Sequence, residues 1–382
     1  MKILHNASIW LPLTQTWMYT QLKYLPKGFD TQVACLKTEN LDQFGDICAI
    51  HSLQARCSKI EYFVRRVLLN AGLRRGVGWL KMPLYEFKPD LVHSHFGPVG
   101  WRALPEIQNG MPHVVTFYGY DLSRLPQTNP WWRTRYKELF TKVSGVLCEG
   151  EHMAMCIESL GCDPAKIHIQ RLGIRIDRIA YRPRIWDGKE PLRVLLAGTF
   201  TEKKGLPYAL VALARLNKDL PVEVTIIGDA GKYKADQAEK RKMIQAIKDG
   251  GIEAKVNFLG YQHHVVLFEQ AHKHHIFLSP SVTAASGDTE GGAPVTIIEM
   301  AATGMPVVST KHCDIPGVIL DGQTGLLAEE RNVDELYDRL RWLVSNPEKW
   351  RTMLDKGRAH TEADFDAHKQ GKKLGEIYSQ LV

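Results

Sequence analysis

The sequence predicts an α/β protein of two doubly wound parallel-sheet domains facing across a cleft, and three observations predict it. The chain has 382 residues, about twice a common domain size. Short apolar runs alternate with amphipathic stretches throughout, the pattern of parallel strands covered by helices on both faces. A polar, proline-bounded stretch, 181–191, divides the runs into two series and reads as a linker. Sheets of this kind bind ligands beyond the carboxyl ends of their strands, so two of them would share a cleft there.

In the first series the expected strands are 2–5, 31–36, 91–93, 114–117, 145–148 and 167–170. In the second they are 193–197, 222–227, 255–258, 276–278 and 306–309. The expected domains are residues 1–184 and 185–364. Met1-Lys2-Ile3-Leu4-His5 enters the first strand directly, which does not resemble a signal peptide, and no apolar run approaches the roughly 18 residues of a membrane span. The seven cysteines form no C-x-x-C pair and read as reduced thiols of a cytoplasmic protein.

Composition is that of a globular protein, 44% hydrophobic and 24% charged. The charge is uneven. Residues 1–184 carry 24 Lys+Arg against 15 Asp+Glu, a balance of +9; subtraction from the totals of 49 and 42 leaves 25 against 27 for the rest, or −2. A basic first half invites an anionic partner such as lipid headgroups or a phosphate-bearing acceptor. Nucleic acid is not expected, because neither a binding module nor regularly placed stacking aromatics accompany the charge. No G-x-G-x-x-G follows the first strand, which counts against a dehydrogenase or epimerase, and Gly228–Lys232 lacks the spacing of a phosphate-loop NTPase.

Gly287–Met300 is the segment richest in chemistry. It lies between two apolar runs, and its Gly-rich loop feeds a helix whose first N–H groups lack intrahelical acceptors. Such an end suits a phosphate, and Glu299, inside the helix, suits the paired hydroxyls of a sugar. A second loop, Gly198-Thr199-Phe200-Thr201-Glu202-Lys203-Lys204-Gly205, follows the first strand of the second half and carries two lysines. A lysine supplies a strong point charge to a diphosphate. Alone it reads equally well as a solvated pair; beside the Glu290–Glu299 loop the phosphate reading is favoured.

These two loops together resemble glycosyltransferase family 4, retaining sugar-nucleotide transferases of the two-Rossmann GT-B fold. His93–Gly97, Thr116–Asp121, Gly173–Asp177, Phe258–Tyr261 and Pro280–Ala285 look like the branch that builds bacterial exopolysaccharides, typified by the colanic acid transferases. The tail 365–382 is similar to that family's closing helix, which crosses back onto the first domain. The resemblance implies that Lys204, with Lys203 and Thr199 in the same loop, faces the donor diphosphate. It further implies that Glu299 holds the ribose, and that Glu290 with Gly291, Gly292, Ala293 and Pro294 holds the transferred sugar and adjoining phosphate. Gly260 and Tyr261 would lie along the base. On the acceptor side it points to Thr14, Gln15, Thr16, His95, Tyr118 and Asp121, with Lys204, Glu290 and Tyr118 nearest the reaction. No cofactor is expected, the nucleotide-sugar being a substrate, and no metal, because fixed protein charges take the cation's role.

Four departures from the family stand out. Glu290 and Glu299 are separated by eight residues where seven is usual, Thr199 replaces a common arginine, Gln15 a glutamate, and Tyr118 a histidine. The function expected is transfer of a hexose from a nucleotide-sugar, UDP-linked rather than GDP-linked, to a surface polysaccharide or lipid-linked oligosaccharide, at the inner face of the cytoplasmic membrane. The alternatives are a GT-B enzyme with a small soluble acceptor and a non-catalytic nucleotide-binding scaffold.

Other groupings read more plainly. His263, His264, His272, His274 and His275 are expected as surface and packing residues, lacking a metal-ligand pattern. For His93 and His95 acceptor contact and packing stand level. The basic, apolar stretch 61–88 reads either as a core-facing helix or as one lying on an anionic membrane, and the adjacent Trp131 and Trp132 as straddling core and surface.

Overall fold

The computed structural model describes residues 1–12, 17–44, 47–74, 77–108 and 110–382. They form two compact units, Met1–Ile174 with Asp366–Val382, and Arg175–Phe365.

The first unit holds seven parallel strands: β1 (Lys2–Trp10), β2 (Asp30–Thr38), β3 (Ala49–Ser52), β4 (Leu91–His95), β5 (His113–Thr116), β6 (Gly145–Cys148) and β7 (Ile167–Ile169). Their order is β3-β2-β1-β4-β5-β6-β7, so the chain winds one way from β1 and then the other from β4. Ile3, Leu4, Val33, Leu91, Val92, Val114 and Val115 are wholly buried, as expected of strands covered on both faces. The helix Ala367–Leu381 belongs to this unit; its Leu374, Ile377 and Tyr378 pack on Ile3, Leu91, Val114 and Leu147. Glycine is needed there, since a Cβ at Gly371 would lie 1.9 Å from the Tyr24 carbonyl oxygen. Asp366 caps that helix by accepting from the His368 and Lys369 N–H groups. Asp366 also ends Asp364-Phe365-Asp366, so the chain does contain an Asp-x-Asp spacing, and the cap engages Asp366 Oδ1.

The second unit has six parallel strands: β8 (Leu192–Ala197), β9 (Val222–Ile227), β10 (Val256–Gly260), β11 (Ile276–Ser279), β12 (Val307–Thr310) and β13 (Leu326–Ala328). Their order is β10-β9-β8-β11-β12-β13, which places the reversal of winding between β8 and β11. Residues 181–186, in the expected linker, pack within this unit. Arg182 and Arg184 donate their N–H groups to the Thr303 and Gly304 carbonyls, and the Arg184 guanidinium is buried on the Ala271 and His274 carbonyls.

The structure lengthens β1, β2 and β4 by two residues or more, moves the other expected strands by no more than two residues at either end, and adds two strands. β1 runs on past His5 to Trp10 because the polar His5 and Asn6 are buried with partners: Asn6 donates to Ser94 Oγ at 2.9 Å and accepts from the Trp79 indole at 2.7 Å. β3 and β13 are short edge strands of four and three residues. Among the described residues no helix is long and apolar enough to cross a membrane.

Candidate functional site

In the second unit the two Gly-rich loops leave β8 and β11, the adjacent strands at the winding reversal, where such sheets bind ligands. The loops are fastened together. Val282 N–H donates to the Lys203 carbonyl at 2.8 Å. Gly205, in a left-handed conformation (φ 63°), sits so close that a Cβ would come 1.8 Å from the Pro280 carbonyl oxygen. Only glycine satisfies both the backbone angle and the approach. The loop thus turns into the helix Leu206–Leu216 with Lys203 and Lys204 directed at the β11 loop.

Lys204 Nζ lies 2.8 and 3.0 Å from the two carboxylate oxygens of Glu290. Lys203 donates to the Thr289 carbonyl at 3.0 Å and lies 3.5 Å from Asp288. Glu290 has a nearly buried side chain and also accepts from Ser281 Oγ at 3.0 Å. Burial opposes its ionisation, but Lys204, Lys203 and His312 outweigh it and hold the carboxyl below its ordinary value. Glu290 is therefore a charged, oriented acceptor at neutral pH.

The backbone of this loop is held from below. Glu290 N–H donates to His312 Nε2 at 3.1 Å, so the ring proton resides on Nδ1, where Glu330 Oε1 is 2.5 Å away. Gly291 has φ 78°, and its N–H donates to Thr289 Oγ1. Pro294 caps the helix Val295–Ala302. The Ile297 N–H donates to the Pro294 carbonyl at 2.9 Å, no side chain caps the helix, and the Val295 and Thr296 N–H groups ahead of that bond form a site of partial positive charge. Glu299 lies four residues into it, about 6 Å along the axis from Val295. It is 7% exposed, and its Oε1 stands 2.9 Å from His264 Nε2. The hydrogen bond to Glu299 raises the His264 imidazole above its ordinary value. Gly260 (φ 67°) ends β10, and the exposed Tyr261 donates its hydroxyl to the Asp229 carbonyl at 2.8 Å. Thr199 is half-buried in the β8 loop.

In the first unit, Thr14, Gln15 and Thr16 lie outside the described residues. His95 and Tyr118 meet inside the unit: His95 Nδ1 and the Tyr118 hydroxyl are 2.7 Å apart, and that hydroxyl is 3.3 Å from Gln21 Oε1. Burial pushes the Tyr118 phenol far above its ordinary value, so it stays a neutral hydroxyl. Asp121 is wholly buried and accepts the Gly97, Tyr118 and Gly119 N–H groups at 2.9–3.1 Å. It shapes the turn after β5, and burial, against those three donors, raises its carboxyl to about 6.

Three imidazoles, His5, His93 and His95, bring ligand-type atoms within 4.8 Å of one another. Their ring nitrogens are largely engaged already: His93 with the Tyr378 and Thr116 hydroxyls at 2.6 Å each, and His95 with Tyr118 and, at 3.1 Å, with His5. Burial holds all three neutral. The trio is thus a hydrogen-bonded core, and its packing reading is the one the geometry favours. A groove of about 800 Å³ between residues 23–29 and the last helix, with Tyr24, Phe29 and Lys372 among its walls, contains none of the candidate residues.

Reading the sequence missed several residues of the second-unit site. His264 is exposed, as expected, and also pairs with Glu299, which its spacing does not signal. Ser281, Asp288, His312 and Glu330 shape the Glu290 loop, and nothing in their local spacing marks them. Of the other histidines of that run, His274 and His275 are buried, His272 is half-buried and His263 is exposed. Trp132 is buried and Trp131 exposed, as their adjacency suggests.

Comparison with known proteins gives the family and the fold. The family described as Glycosyl transferases group 1 matches residues 178–360, and Glycosyltransferase Family 4 matches residues 15–178. The amylovoran biosynthesis glycosyltransferase AmsK of Erwinia amylovora is 32% identical over 303 residues, 78% of this chain and 71% of that protein. WcaL of Escherichia coli strain K12, provisionally named a colanic acid biosynthesis glycosyltransferase, is 28% identical over 300 residues, 77% and 71% of the two chains. Among solved structures, sucrose-phosphate synthase from Thermosynechococcus elongatus is similar with a TM-score of 0.78 at 17% identity, covering 100% of this chain and 99% of that one. HepE of Anabaena, in complex with UDP and glucose, has a TM-score of 0.74 at 17% identity, covering 99% of each. At such identities the structural likeness speaks for the fold, which is GT-B.

Proposed function

Since the chain belongs to glycosyltransferase family 4, we propose that it moves a hexose from a nucleotide-sugar, UDP-linked by preference, to a polysaccharide or lipid-linked oligosaccharide of the bacterial cell surface. The observation that carries this reading is the Lys204–Glu290 pair beside the capped start of the helix that bears Glu299. In the proposed complex the diphosphate takes Lys204 and the first-turn N–H groups, Glu299 accepts from the ribose hydroxyls, and Glu290 accepts from the transferred sugar. Tyr261 and Gly260 border the base. The first unit supplies the acceptor side.

Transfer with retention is what the family resemblance implies, and these roles would serve it as follows. The acceptor hydroxyl attacks the anomeric carbon on the face from which the nucleotide departs, and a leaving-phosphate oxygen takes the hydroxyl proton. Lys204 and the helix start stabilise the negative charge that develops there, an electrostatic role usually worth several kcal/mol. No residue need form a covalent intermediate, and fixed charges stand where other transferases use a metal. The names of AmsK and WcaL support the polysaccharide context, and the UDP and UDP-glucose complexes of HepE support the donor class.

A thermal-shift panel of UDP-, GDP-, ADP- and CDP-sugars tests the donor, because a ligand of the native state raises the melting point. UDP-sugars are expected to give the largest shift, followed by turnover on lipid-linked acceptors. Turnover on soluble sugars alone would replace the acceptor assignment. Binding without turnover on any acceptor would favour a scaffold.

A further inference from the structure

The helix Lys59–Asn70 is apolar on two opposite sides. Its inner side carries Leu69, buried, and Tyr62, which pack with Leu53, Val77, Trp79 and Leu80. Its outer side carries Ile60 (79% exposed), Phe63 (66%), Val64 (48%) and Val67 (50%). At 100° per residue these four fall within an arc of about 100° opposite Tyr62 and Leu69. A helix face turned to water is ordinarily polar, so four neighbouring apolar side chains there have no folding purpose. Nearby in sequence, Leu73 is half-exposed, and the helix Lys81–Phe87 turns out Met82 (53%) and Tyr85 (80%), three residues apart on one side.

The charges beside this face have one sign. Lys59, Arg66 and Lys81 are exposed and, among the described residues, have no acidic partner, while the one acid of the first helix, Glu61, is paired with Arg65 at 2.8 Å. The first 184 residues carry a balance of +9, from 24 basic and 15 acidic side chains.

We infer that the Ile60–Phe63–Val64–Val67 face, with Lys59 and Arg66 of the same helix beside it, is a docking surface for an anionic phospholipid bilayer. A helix with this arrangement lies in the membrane plane, its apolar side about 5–10 Å into the headgroup boundary and its bases on lipid phosphates. The charge complementarity selects a bilayer over a second copy of this basic unit, which would be repelled. The surface is remote in sequence from every donor-site residue, and vesicle binding requires neither nucleotide nor turnover. It deepens the membrane-proximal acceptor of the proposed function, yet its failure is separable from failure of that reading.

The test is co-sedimentation of the full chain with vesicles of phosphatidylcholine alone or mixed with phosphatidylglycerol, at low and high salt. Binding is expected only to the mixed vesicles, and weaker at high salt. Phe63→Gln with Val67→Gln, and separately Lys59→Gln with Arg66→Gln, should each weaken it about tenfold or more. All four side chains are exposed, so circular dichroism and the nucleotide-induced melting shift should stay as in the parent. Equal binding of parent and variants would overturn the inference, as would equal binding to neutral and anionic vesicles. Self-association of the parent, abolished by Phe63→Gln with Val67→Gln and without vesicle binding, would assign the face to a second copy instead.

Discussion

Acidification from about pH 7.5 to about pH 5 should loosen the first unit, because that unit buries four neutral imidazoles, His5, His93, His95 and His113. Burial lowers His95 and His113 to about 3. Burial, then the neighbouring histidines, lowers His5 and His93 as well. An imidazole in the unfolded chain titrates near its ordinary value, about 6.5. Above that pH both states are neutral and the shift has no effect. Below it the unfolded chain gains protons that the native core refuses, so stability is lost progressively from about pH 6.5 down to about pH 3. At about pH 5 the loss is roughly 1.5 pH units, or roughly 2 kcal/mol, for each of His95 and His113. Asp121 works in the opposite sense: its native carboxyl, raised to about 6, takes up a proton first and returns roughly 1 kcal/mol at about pH 5. The net loss is roughly 3 kcal/mol before His5 and His93 add to it, a large part of the 5–15 kcal/mol of a typical domain. Hydrogen exchange read by mass spectrometry on peptides of β1, β4 and β5 measures it directly. After correction for the intrinsic pH dependence of exchange, opening should become roughly 100-fold more favourable at the lower pH. A change of less than about threefold would refute neutral burial of these rings.

The second-unit site supports three further expectations. Lys204→Ala leaves the nearly buried Glu290 without its principal cation and should cost about 3 kcal/mol in urea denaturation, with turnover down about 10²-fold or more. Adding Glu290→Gln should recover most of the stability but none of the rate; full recovery of both would remove Lys204 from the chemistry. Gly205→Ala sets a Cβ against the Pro280 carbonyl oxygen at a left-handed backbone angle. It should destabilise the second unit by about 1–3 kcal/mol, and an unchanged melting curve would contradict the close approach. Glu299→Gln should weaken nucleotide binding about tenfold by calorimetry, through loss of charge-assisted hydrogen bonds. It should also let the His264 imidazole titrate lower by NMR; unaltered values for both would deny Glu299 its part.

Much of this arrangement was legible in the sequence where backbone geometry dictates residue type. The Gly198–Gly205 and Gly287–Pro294 loops announce themselves because a tight exit from a strand into a helix needs glycine and proline at set places. β6 and β9 were located to the residue, β6 by an unbroken apolar run and β9 by the alternation of Val222, Val224 and Ile226 with Glu223 and Thr225. The inner part of β1 was not, because His5 and Asn6 look like a strand end until Ser94, Trp79 and His95 are seen to satisfy them. β3 was not expected because Ala49-Ile50-His51-Ser52 offers no apolar run to register. His264 escaped notice for a different reason: its value lies in Glu299, 35 residues away, and no local spacing reports such a meeting. The same holds for His312, whose tautomer follows from Glu330 and the Glu290 amide. The Lys59–Asn70 helix shows a further case: composition left two readings open, and the structure gives the helix both a core-facing side and an exposed apolar one.

The central claim, that the loops after β8 and β11 hold the nucleotide, is tested most directly by hydrogen exchange with and without saturating UDP. Slower exchange confined to residues 198–205 and 287–299, abolished by Glu299→Gln with Lys204→Ala, is the result this account predicts. Protection elsewhere, with those two segments unchanged, would contradict it.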